Sequence, residues 1–322
     1  MNMVGPHESF NTSGMFITYC SMNFGVLHSL SSSYVKSVIA VCIFIVFFGI
    51  VGTFLNTLVL FVFSKSKKMR QKKSYFFIMI LSATDLVVVT SIPAVFLVYA
   101  IHGILGTPRC LYSICYNIVT RTTPLLSATS LMIMNIERYM AIVYPFFHRT
   151  TVTKRKMIWS FCILGCIFQI CAAVGFIGGK TIVNLINSVG AFIIVTTTIF
   201  QYVSIFFIAR KSLIPRVKEV SNEEKFINLR PFLRDLKLAR TYLFIVFLCF
   251  ICYLPIAIIL GTTQYFLANE ETWNAHLHWS LLTPLLILMN ATLNCLIFFW
   301  GNRELRIQSW KLVRNCFRKA AH

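Results

Sequence analysis

Seven long apolar runs separated by charged segments constrain this chain more than any other feature. Each run is about 20 residues or longer, the length that an α-helix needs to cross the hydrocarbon layer of a bilayer. Apolar residues make up 57% of the 322 residues and charged residues only 12%, whereas soluble domains contain about 45–50% and about 25%. We therefore predict an all-α membrane protein without a large soluble domain. The runs, called spans 1 to 7, cover residues 35–63, 75–101, 111–143, 157–177, 185–209, 238–262 and 277–300.

The basic residues lie almost entirely on one side of these spans. The inner ends of spans 3 and 6 and the segments after spans 1, 3, 5 and 7 contain 26 of the 30 lysines and arginines. Because basic loops remain in the cytoplasm, this side is predicted to be cytoplasmic and the N-terminus extracellular. Six of the ten acidic residues lie on the same side, which therefore carries the full net charge of +20. Such a face suits anionic membrane lipids and an acidic protein partner; nucleic acid is not expected as a partner.

The N-terminal segment agrees with this orientation. It contains Asn11-Thr12-Ser13, a glycosylation sequon that is used only on the lumenal side. We predict a glycan on Asn11, although such tripeptides also occur by chance. The first residues do not have the pattern of a cleavable signal peptide, so span 1 is expected to act as the insertion signal.

The eleven cysteines do not form a disulfide framework in this interpretation. Eight of them lie within apolar runs, where cysteine behaves as a small hydrophobic residue. Cys20 and Cys110 lie on the outer side, in the oxidising compartment, and are candidates for a disulfide. Cys316 lies in a basic amphipathic tail and is either an acylation site or an unmodified thiol.

Several polar side chains lie at membrane depth, where they are costly and usually functional. Asp85 lies in the middle of span 2, Ser127 in span 3, and Asn56, Asn290 and Asn294 in spans 1 and 7. A buried carboxylate among hydroxyl and amide groups is unfavourable unless it is protonated or paired with a cation. The group therefore predicts either a small pocket for Na⁺ or H⁺, or a structural hydrogen-bond network. No other cofactor and no further metal site is expected.

Charged residues also mark the inner ends of spans 3 and 6. Arg138 lies about 16 Å of helix inward from Ser127, and Asp235 lies about 30 Å of helix before Pro255. Both charges therefore reach the same face, where Arg138 would pair with Asp235 in one state and lose that pair in another. Pro255 would be the hinge, because proline removes a helical hydrogen bond. The alternative is that these charges are solvated anchors.

Together these residues resemble the rhodopsin-like (class A) G-protein-coupled receptors over nearly the whole chain, from residue 35 to 317. The matched elements follow one another in the family's order, each on its expected span. They are Asn56; Leu81 to Asp85; Glu137-Arg138-Tyr139 with Ile142 and Pro145; Trp159; Tyr202; Cys252 to Pro255; and Asn294 to Phe298. The segment after them, 302–318, is similar to the family's short membrane-surface helix.

The resemblance implies a seven-transmembrane helix bundle with a short amphipathic C-terminal helix. It divides the chain into an extracellular segment (1–34), a receptor domain (35–301) and a cytoplasmic membrane-surface helix with tail (302–322). The implied protein is not an enzyme but a multi-pass plasma-membrane receptor that binds an extracellular small molecule. Its implied partner inside the cell is a heterotrimeric G protein.

The resemblance also implies roles for individual residues. Glu137, Arg138, Tyr139 and Asp235 would form the G-protein-coupling site and its ionic lock. Asp85, Ser127, Asn290 and Asn294 would form a sodium pocket, with Na⁺ as an allosteric ion. Tyr202, Tyr253, Pro255 and Phe298 would form the activation switch.

The chain departs from the family pattern at several of these positions. Tyr253 stands where tryptophan is usual, and Cys295 and Phe298 stand where proline and tyrosine are usual. Phe298 lacks the hydroxyl that supports the active state, so activation is expected to differ. The family's disulfide cysteine would be expected at Ser113, and Cys20 with Cys110, both on the predicted outer side, is the substitute bridge to test.

The class of ligand follows less directly from the resemblance than the fold does. Amine receptors have an aspartate where this chain has Thr120, and span 7 has no lysine for retinal, so a monoamine receptor and an opsin are not expected. The stretch 137–155 resembles the inner loop of odorant receptors, although span 6 and the short second outer loop do not match them. We expect a chemosensory receptor; the alternatives are a class A receptor for a lipid or peptide, or a seven-helix transporter, for which the internal repeat is missing.

One basic residue lies near the predicted ligand pocket. Arg121 follows Thr120 on span 3 and would bind a carboxylate or another anion. Alternatively it reaches the outer surface or pairs with Glu270 or Glu271. The predicted pocket residues are Thr120, Arg121, Pro124 and Gln264, with Thr123, Tyr253 and Tyr265 as further candidates.

Overall fold

The structure is a computed structural model in which every regular element of the described part is an α-helix. Of spans 5 and 6 the structure describes single residues and short stretches, and all of these residues are helical. The prediction of a helical membrane bundle is confirmed. The described residues are 32–71, 73–107, 109–177, 196–197, 199–200, 203–204, 207, 244, 247–248, 250–256, 258–259 and 278–320.

The helices of spans 1 to 4 extend up to three residues beyond the predicted apolar runs, whereas the continuous helix of span 7 begins at Leu282, five residues after the predicted start of its run. A helix of 34 residues is about 51 Å long, which exceeds the roughly 30 Å of hydrocarbon, so the ends reach into the polar flanks. Four of the described helices are long and apolar enough to cross a membrane. Span 1 is Ser32–Lys65, span 2 is Lys73–Ile104, span 3 is Cys110–Val143, span 4 is Lys154–Ile177 and span 7 is Leu282–Gly301.

Three shorter helices lie at the inner ends of the spans. Lys67–Gln71 follows span 1, and Pro145–Thr151 follows span 3 after a break at Tyr144. Pro145 occupies the first turn of its helix, where its missing N–H is not needed. Arg303–Ala320 follows span 7 after a break at Asn302 and is strongly amphipathic. Its polarity pattern agrees with a helix that lies on the membrane surface.

Among the described residues, the core consists of two apolar clusters that share spans 1, 2 and 7. The inner cluster contains Phe63, Phe77 and Phe298, and the outer cluster contains Ile92 and Leu288. Along spans 1 and 2, the polar residues at membrane depth lie between the stretches that belong to the two clusters; on span 7, Asn294 lies between them and Asn290 lies at the edge of the outer cluster. The bundle is therefore apolar at both ends and polar in a thin middle layer.

Span 2 packs against spans 1, 3 and 7. Spans 1, 2 and 7 approach closely at Gly52, where an added Cβ would lie 2.6 Å from Thr292 Oγ1 and 2.7 Å from Val89 Cγ1. Only glycine fits there without displacing a neighbour. The opposite face of span 1 exposes large apolar side chains such as Ile50 and Phe54, as expected for a helix that faces lipid. These packings hold span 2, and with it Asp85, inside the bundle.

Candidate functional site

Asp85 is the centre of the polar middle layer. Its side chain is completely buried. Ser127 of span 3 donates a hydrogen bond to Oδ1 at 2.5 Å, and Asn294 of span 7 donates through Nδ2 to Oδ2 at 3.0 Å. Within the described part of the chain no basic side chain pairs with this carboxylate. One carboxyl group therefore joins three helices, and its contacts with the described residues are hydrogen bonds.

Two amide oxygens on span 7 add acceptors to this layer. Asn290 and Asn294 are one helical turn apart and both are buried, so they lie on the same face of the helix. The Oδ1 atom of each has no hydrogen-bond partner among the described residues. Buried acceptors without donors are unfavourable. With the carboxylate of Asp85, they are an oxygen-rich set that a small cation would satisfy.

A second group of contacts extends this layer to span 1. The thiol of Cys295 donates to Asn56 Oδ1 at 2.8 Å, and Asn56 Nδ2 donates to the carbonyl of Gly52 at 3.0 Å. Ser82 Oγ lies 3.9 Å from the same sulfur atom. The sequence predicts Asn56 in this layer but not the role of Cys295. In the sequence, Cys295 directly follows the predicted site residue Asn294, and this position is the feature that could have indicated its role.

Thr84 and Ser130 also belong to the layer and were missed. Their hydroxyl oxygens are 3.1 Å apart, and Ser130 also donates to the carbonyl of Ser127 at 2.7 Å. Thr84 precedes Asp85, and Ser130 lies one turn after Ser127. Hydroxyl residues at these spacings from two predicted site residues are the signal in the sequence.

At the inner end of span 3, Glu137 contacts a residue that the sequence did not single out. His148 Nε2 lies 2.8 Å from Glu137 Oε1. Glu137 is almost fully buried, and His148 belongs to the helix Pro145–Thr151. Tyr139 lies nearby, with its ring 6.3 Å from that of Tyr144 and 6.4 Å from that of Phe200. The short inner helix is thus joined to span 3 by a carboxylate–imidazole pair.

The predicted pocket residues of span 3 are all in its outer half. Thr120 uses its hydroxyl within its own helix, donating to the carbonyl of Tyr116 at 2.7 Å. Pro124 is buried and Arg121 is partly buried. Gln169 of span 4 donates to the carbonyl of Thr122 at 2.9 Å. A hydrogen bond from span 4 therefore holds this segment, whereas part of the Arg121 residue remains exposed.

Aromatic residues that the sequence did not select surround this outer half. The rings of Tyr99 and Tyr116 are stacked with centroids 4.9 Å apart, and Phe96 lies 5.8 Å from Tyr116. Tyr34 and His278 make an edge contact at 5.3 Å. These contacts connect spans 1, 2, 3 and 7 near their outer ends. Because these aromatic residues are spread over four helices, they form no periodic pattern in the sequence of any one helix, and the sequence therefore does not indicate that they are in contact.

The remaining predicted switch residues are placed as follows. Tyr253 and Pro255 are partly buried positions of helical residues 251–256, and Phe298 is buried in the inner cluster. The side chains of Arg138 and Cys316, and all of Asn11, Cys20, Tyr202, Asp235 and Gln264, lie outside the described residues.

Cys110 is disulfide-bonded. Seven other cysteines have free thiols, so the partner is a cysteine whose side chain lies outside the described part of the structure. Cys20, Cys249 and Cys316 remain, and of these the charge distribution assigns Cys20 to the outer side with Cys110. The pairing of Cys20 with Cys110 stays a prediction.

Comparison with known proteins gives two matches. The family model for the 7 transmembrane receptor (rhodopsin family) matches residues 55–181. Mouse cannabinoid receptor 2 is 26% identical over 127 residues, which are 39% of this chain and 36% of that receptor. The aligned part thus spans little more than a third of the relative's own length. The matched residues of the family model include Asp85, Ser127 and Glu137, the described centres of the middle layer and of the inner end of span 3.

Proposed function

We propose that this chain, which belongs to the rhodopsin-like (class A) family of G-protein-coupled receptors, is a plasma-membrane receptor for an extracellular small molecule and activates a heterotrimeric G protein. The contact of Asp85 with Ser127 and Asn294 carries the proposal. A shift of span 3 or span 7 changes these charge-assisted hydrogen bonds, so the two helices are coupled through one carboxylate. Such a buried network is an element that an outer ligand and an inner partner can both bias.

The inner face supports a protein partner. Phe146 and Phe147 are 85% and 52% exposed on the short helix that follows span 3. Exposed apolar residues of this kind mark contact surfaces, and the surrounding inner side carries the net charge of +20. We assign the G protein to this face. Arg138 is its proposed contact, with Glu137 and Asp235 as inactive-state partners.

We further propose that the middle layer binds Na⁺. The carboxylate of Asp85 and the unpartnered Oδ1 atoms of Asn290 and Asn294 fit a small cation that prefers oxygen ligands. The cation would neutralise Asp85 and supply the missing partner of the amide oxygens. Because it would bind one arrangement of spans 2, 3 and 7, it would stabilise that arrangement.

The sodium proposal predicts an ion-specific stabilisation of the purified protein. A ligand that binds only the folded state raises stability by mass action, so the melting temperature should rise in NaCl relative to N-methylglucamine chloride at equal ionic strength. Asp85→Asn should abolish the difference. Asn117→Ala is the matched control, because Asn117 bonds only within span 3. An equal response of Asp85→Asn and the wild type would favour a purely structural network.

For the ligand we propose a chemosensory, odorant-like small molecule with an acidic group. Arg121 is partly buried and lies about 9 Å of helix outward from Ser127, in the outer half of span 3. A guanidinium in a largely apolar pocket would suit a carboxylate attached to an apolar body. Thr120, Pro124 and Gln264 complete the proposed pocket.

A second ligand class is favoured by one of the comparisons. Cannabinoid receptor 2, by its name a receptor for cannabinoids, shares 26% of the aligned residues. A lipid-like ligand without a negative charge would use the same apolar surfaces but would not need Arg121. The response of Arg121 variants therefore distinguishes the two classes.

The deciding experiment is a ligand screen in cells that carry a promiscuous G-protein reporter. The panel contains acidic odorants, neutral odorants and cannabinoids. Arg121→Ala should remove the response to acidic ligands, whereas Arg121→Lys, which keeps the charge, should retain part of it. An unchanged dose–response curve in Arg121→Ala would contradict anion binding by this residue.

Arg138→Ala is the control for the receptor function itself. It should abolish nucleotide exchange on the G protein at normal surface expression. A protein that retains ligand flux across the membrane and never drives nucleotide exchange would instead be a transporter.

A further inference from the structure

A groove lies between spans 1 and 2 on the side of the bundle that faces lipid. It has a volume of about 760 Å³, and no residue that lines it is charged. Its lining on span 1 runs from Val46 to Phe61, which is about 22 Å of helix. This length is more than half of the roughly 30 Å of hydrocarbon. The groove therefore crosses the middle of the bilayer.

The floor of the groove is formed by a row of small residues. Gly49, Thr53 and Thr57 line it at intervals of four residues, so they lie along one face of span 1. Pro93 of span 2 already covers the first of them, because a Cβ added to Gly49 would lie 2.9 Å from Pro93 Cγ. The large side chain of Phe54, which is 62% exposed, also lines the groove. This shape suits a narrow, flexible chain better than another helix about 10 Å wide.

Two hydroxyl groups in the groove have no hydrogen-bond partner among the described residues. On the wall formed by span 2, Thr90 donates to the carbonyl of Leu86 at 2.8 Å. Thr53 and Thr57 make no such bond within the described part of the chain. Hydrocarbon contains no water that could replace the missing partner, and an unpaired polar group there is unfavourable. A lipid that carries a polar atom at this depth would satisfy both hydroxyls.

A positive charge lies at the inner end of the groove. Nζ of Lys65 lies over the ring of Phe61, 5.8 Å from its centroid. Lys65 is the first charged residue after the apolar run of span 1 and is exposed, so it lies at the inner membrane surface. Along the helix, Thr57 is about 12 Å and Thr53 about 18 Å from Lys65. The two hydroxyls therefore lie on either side of the bilayer centre, which is about 15 Å from the surface.

We propose that this groove binds a hydroxylated long-chain fatty acid, with its carboxylate at Lys65 and its mid-chain hydroxyl between Thr53 and Thr57. The chains of ordinary phospholipids carry no polar atom at this depth, and a sterol carries its hydroxyl at the membrane surface. The site is separate from the ligand pocket proposed at Arg121 on span 3. It does not rest on the proposed function.

The test compares 12-hydroxystearic acid with stearic acid, which differ only in a mid-chain hydroxyl. The purified full chain is equilibrated in detergent micelles with equal concentrations of both acids, and native mass spectrometry counts the molecules of each that stay bound. Two hydrogen bonds formed away from water should give the wild type about a tenfold preference for the hydroxylated acid. The double variant Thr53→Val/Thr57→Val keeps the shape of both side chains but should bind the two acids equally. Thr122→Val is the matched control, because this hydroxyl bonds within span 3, and it should keep the preference.

Two further variants separate the charge from the groove. Lys65→Gln should weaken the binding of both acids about threefold and leave the preference unchanged. Thr57→Phe fills the groove and should remove both acids. Both sites are exposed, so these variants should fold.

Three results would overturn the proposal. The first is equal binding of the two acids by the wild type, and the second is a preference that survives in Thr53→Val/Thr57→Val or in Thr57→Phe. The third is a wild type that binds neither acid and is dimeric, with Thr53→Val/Thr57→Val monomeric, because the groove would then be covered by a second copy of this chain.

Discussion

Cys295 acts in the structure as a hydrogen-bond donor at a position where the family usually has proline. Its thiol reaches Asn56 Oδ1 at 2.8 Å and both side chains are buried. A cysteine also restores the backbone N–H that a proline would lack. Span 7 is one continuous helix from Leu282 to Gly301. At this departure from the family pattern, Cys295 supplies a side-chain link to span 1.

This link predicts a difference between two substitutions of Cys295. Cys295→Ala leaves Asn56 Oδ1 buried without its donor, which costs about 1–3 kcal/mol, so the melting temperature should fall. Cys295→Ser keeps a donor of similar size, so its melting temperature should fall less than that of Cys295→Ala. Thermal unfolding of the purified proteins, followed by tryptophan fluorescence, measures both. Equal stability of Cys295→Ala and the wild type would show that the thiol contributes only volume.

Contacts between single residues could be predicted from the sequence where the residues share a depth in the membrane. They could not be predicted where the chain changes direction between them. Asp85, Ser127 and Asn294 are brought together in the structure as their depths suggest. His148 was not singled out, because it lies beyond a helix break at Tyr144 and no helical spacing relates it to Glu137. The assigned roles of all these residues remain predictions.

Among the elements, the long helices were predictable and the short ones were not. Spans 1 to 4 and 7 are found where the apolar runs are; spans 1 to 4 extend up to three residues beyond their runs, and the continuous helix of span 7 begins five residues later than its run. The helices Lys67–Gln71 and Pro145–Thr151 have five and seven residues, too few for a periodic pattern. The helix Arg303–Ala320 was expected from the family resemblance, and its amphipathic sequence agrees with this.

Asn302 determines where the helix Arg303–Ala320 begins. Its Oδ1 atom accepts a hydrogen bond from the backbone N–H of Leu305 at 3.3 Å and from the hydroxyl of Tyr75 at 3.5 Å. The first contact caps the helix, and the second ties it to span 2. The Nδ2 atom has no partner among the described residues. The contacts of the Asn302 side chain are therefore made by the acceptor atom Oδ1 and not by Nδ2.

Substitution of Asn302 tests this assignment. Asn302→Ala removes the cap and should destabilise the start of the helix by about 1 kcal/mol, seen as faster hydrogen exchange of amides 304–306. Asn302→Asp keeps the acceptor and places a negative charge at the helix N-terminus, which is favourable, so exchange should stay near that of the wild type. Faster exchange in Asn302→Asp would mean that Nδ2 is required after all.

For the molecule as a whole, the most informative helix is span 3, the least apolar of the described membrane spans. Span 3 is not among the helices that qualify as membrane spans by apolarity alone, although its length is sufficient. Its polar residues Ser113, Thr123, Ser127, Thr129 and Ser130 are buried, so they face other helices and not lipid. A helix with this arrangement lies inside a bundle. Composition could predict that the protein is a membrane bundle, but the interior position of span 3 required the packing of its neighbours.

The orientation of the whole molecule is predicted by the one-sided charge. With the basic segments held in the cytoplasm, the N-terminus is outside and Asn11 is accessible to glycosylation. An N-terminal epitope tag should be stained on intact cells, and a C-terminal tag only after permeabilisation. Peptide-N-glycosidase should increase the gel mobility of the wild type but not of Asn11→Gln. The sequence Asn290-Ala291-Thr292 provides an internal control, because this second sequon is buried in span 7 and should remain unmodified. Staining of the N-terminal tag only in permeabilised cells would reverse the assignment of both faces, and with it the placement of the G protein on the side of Phe146.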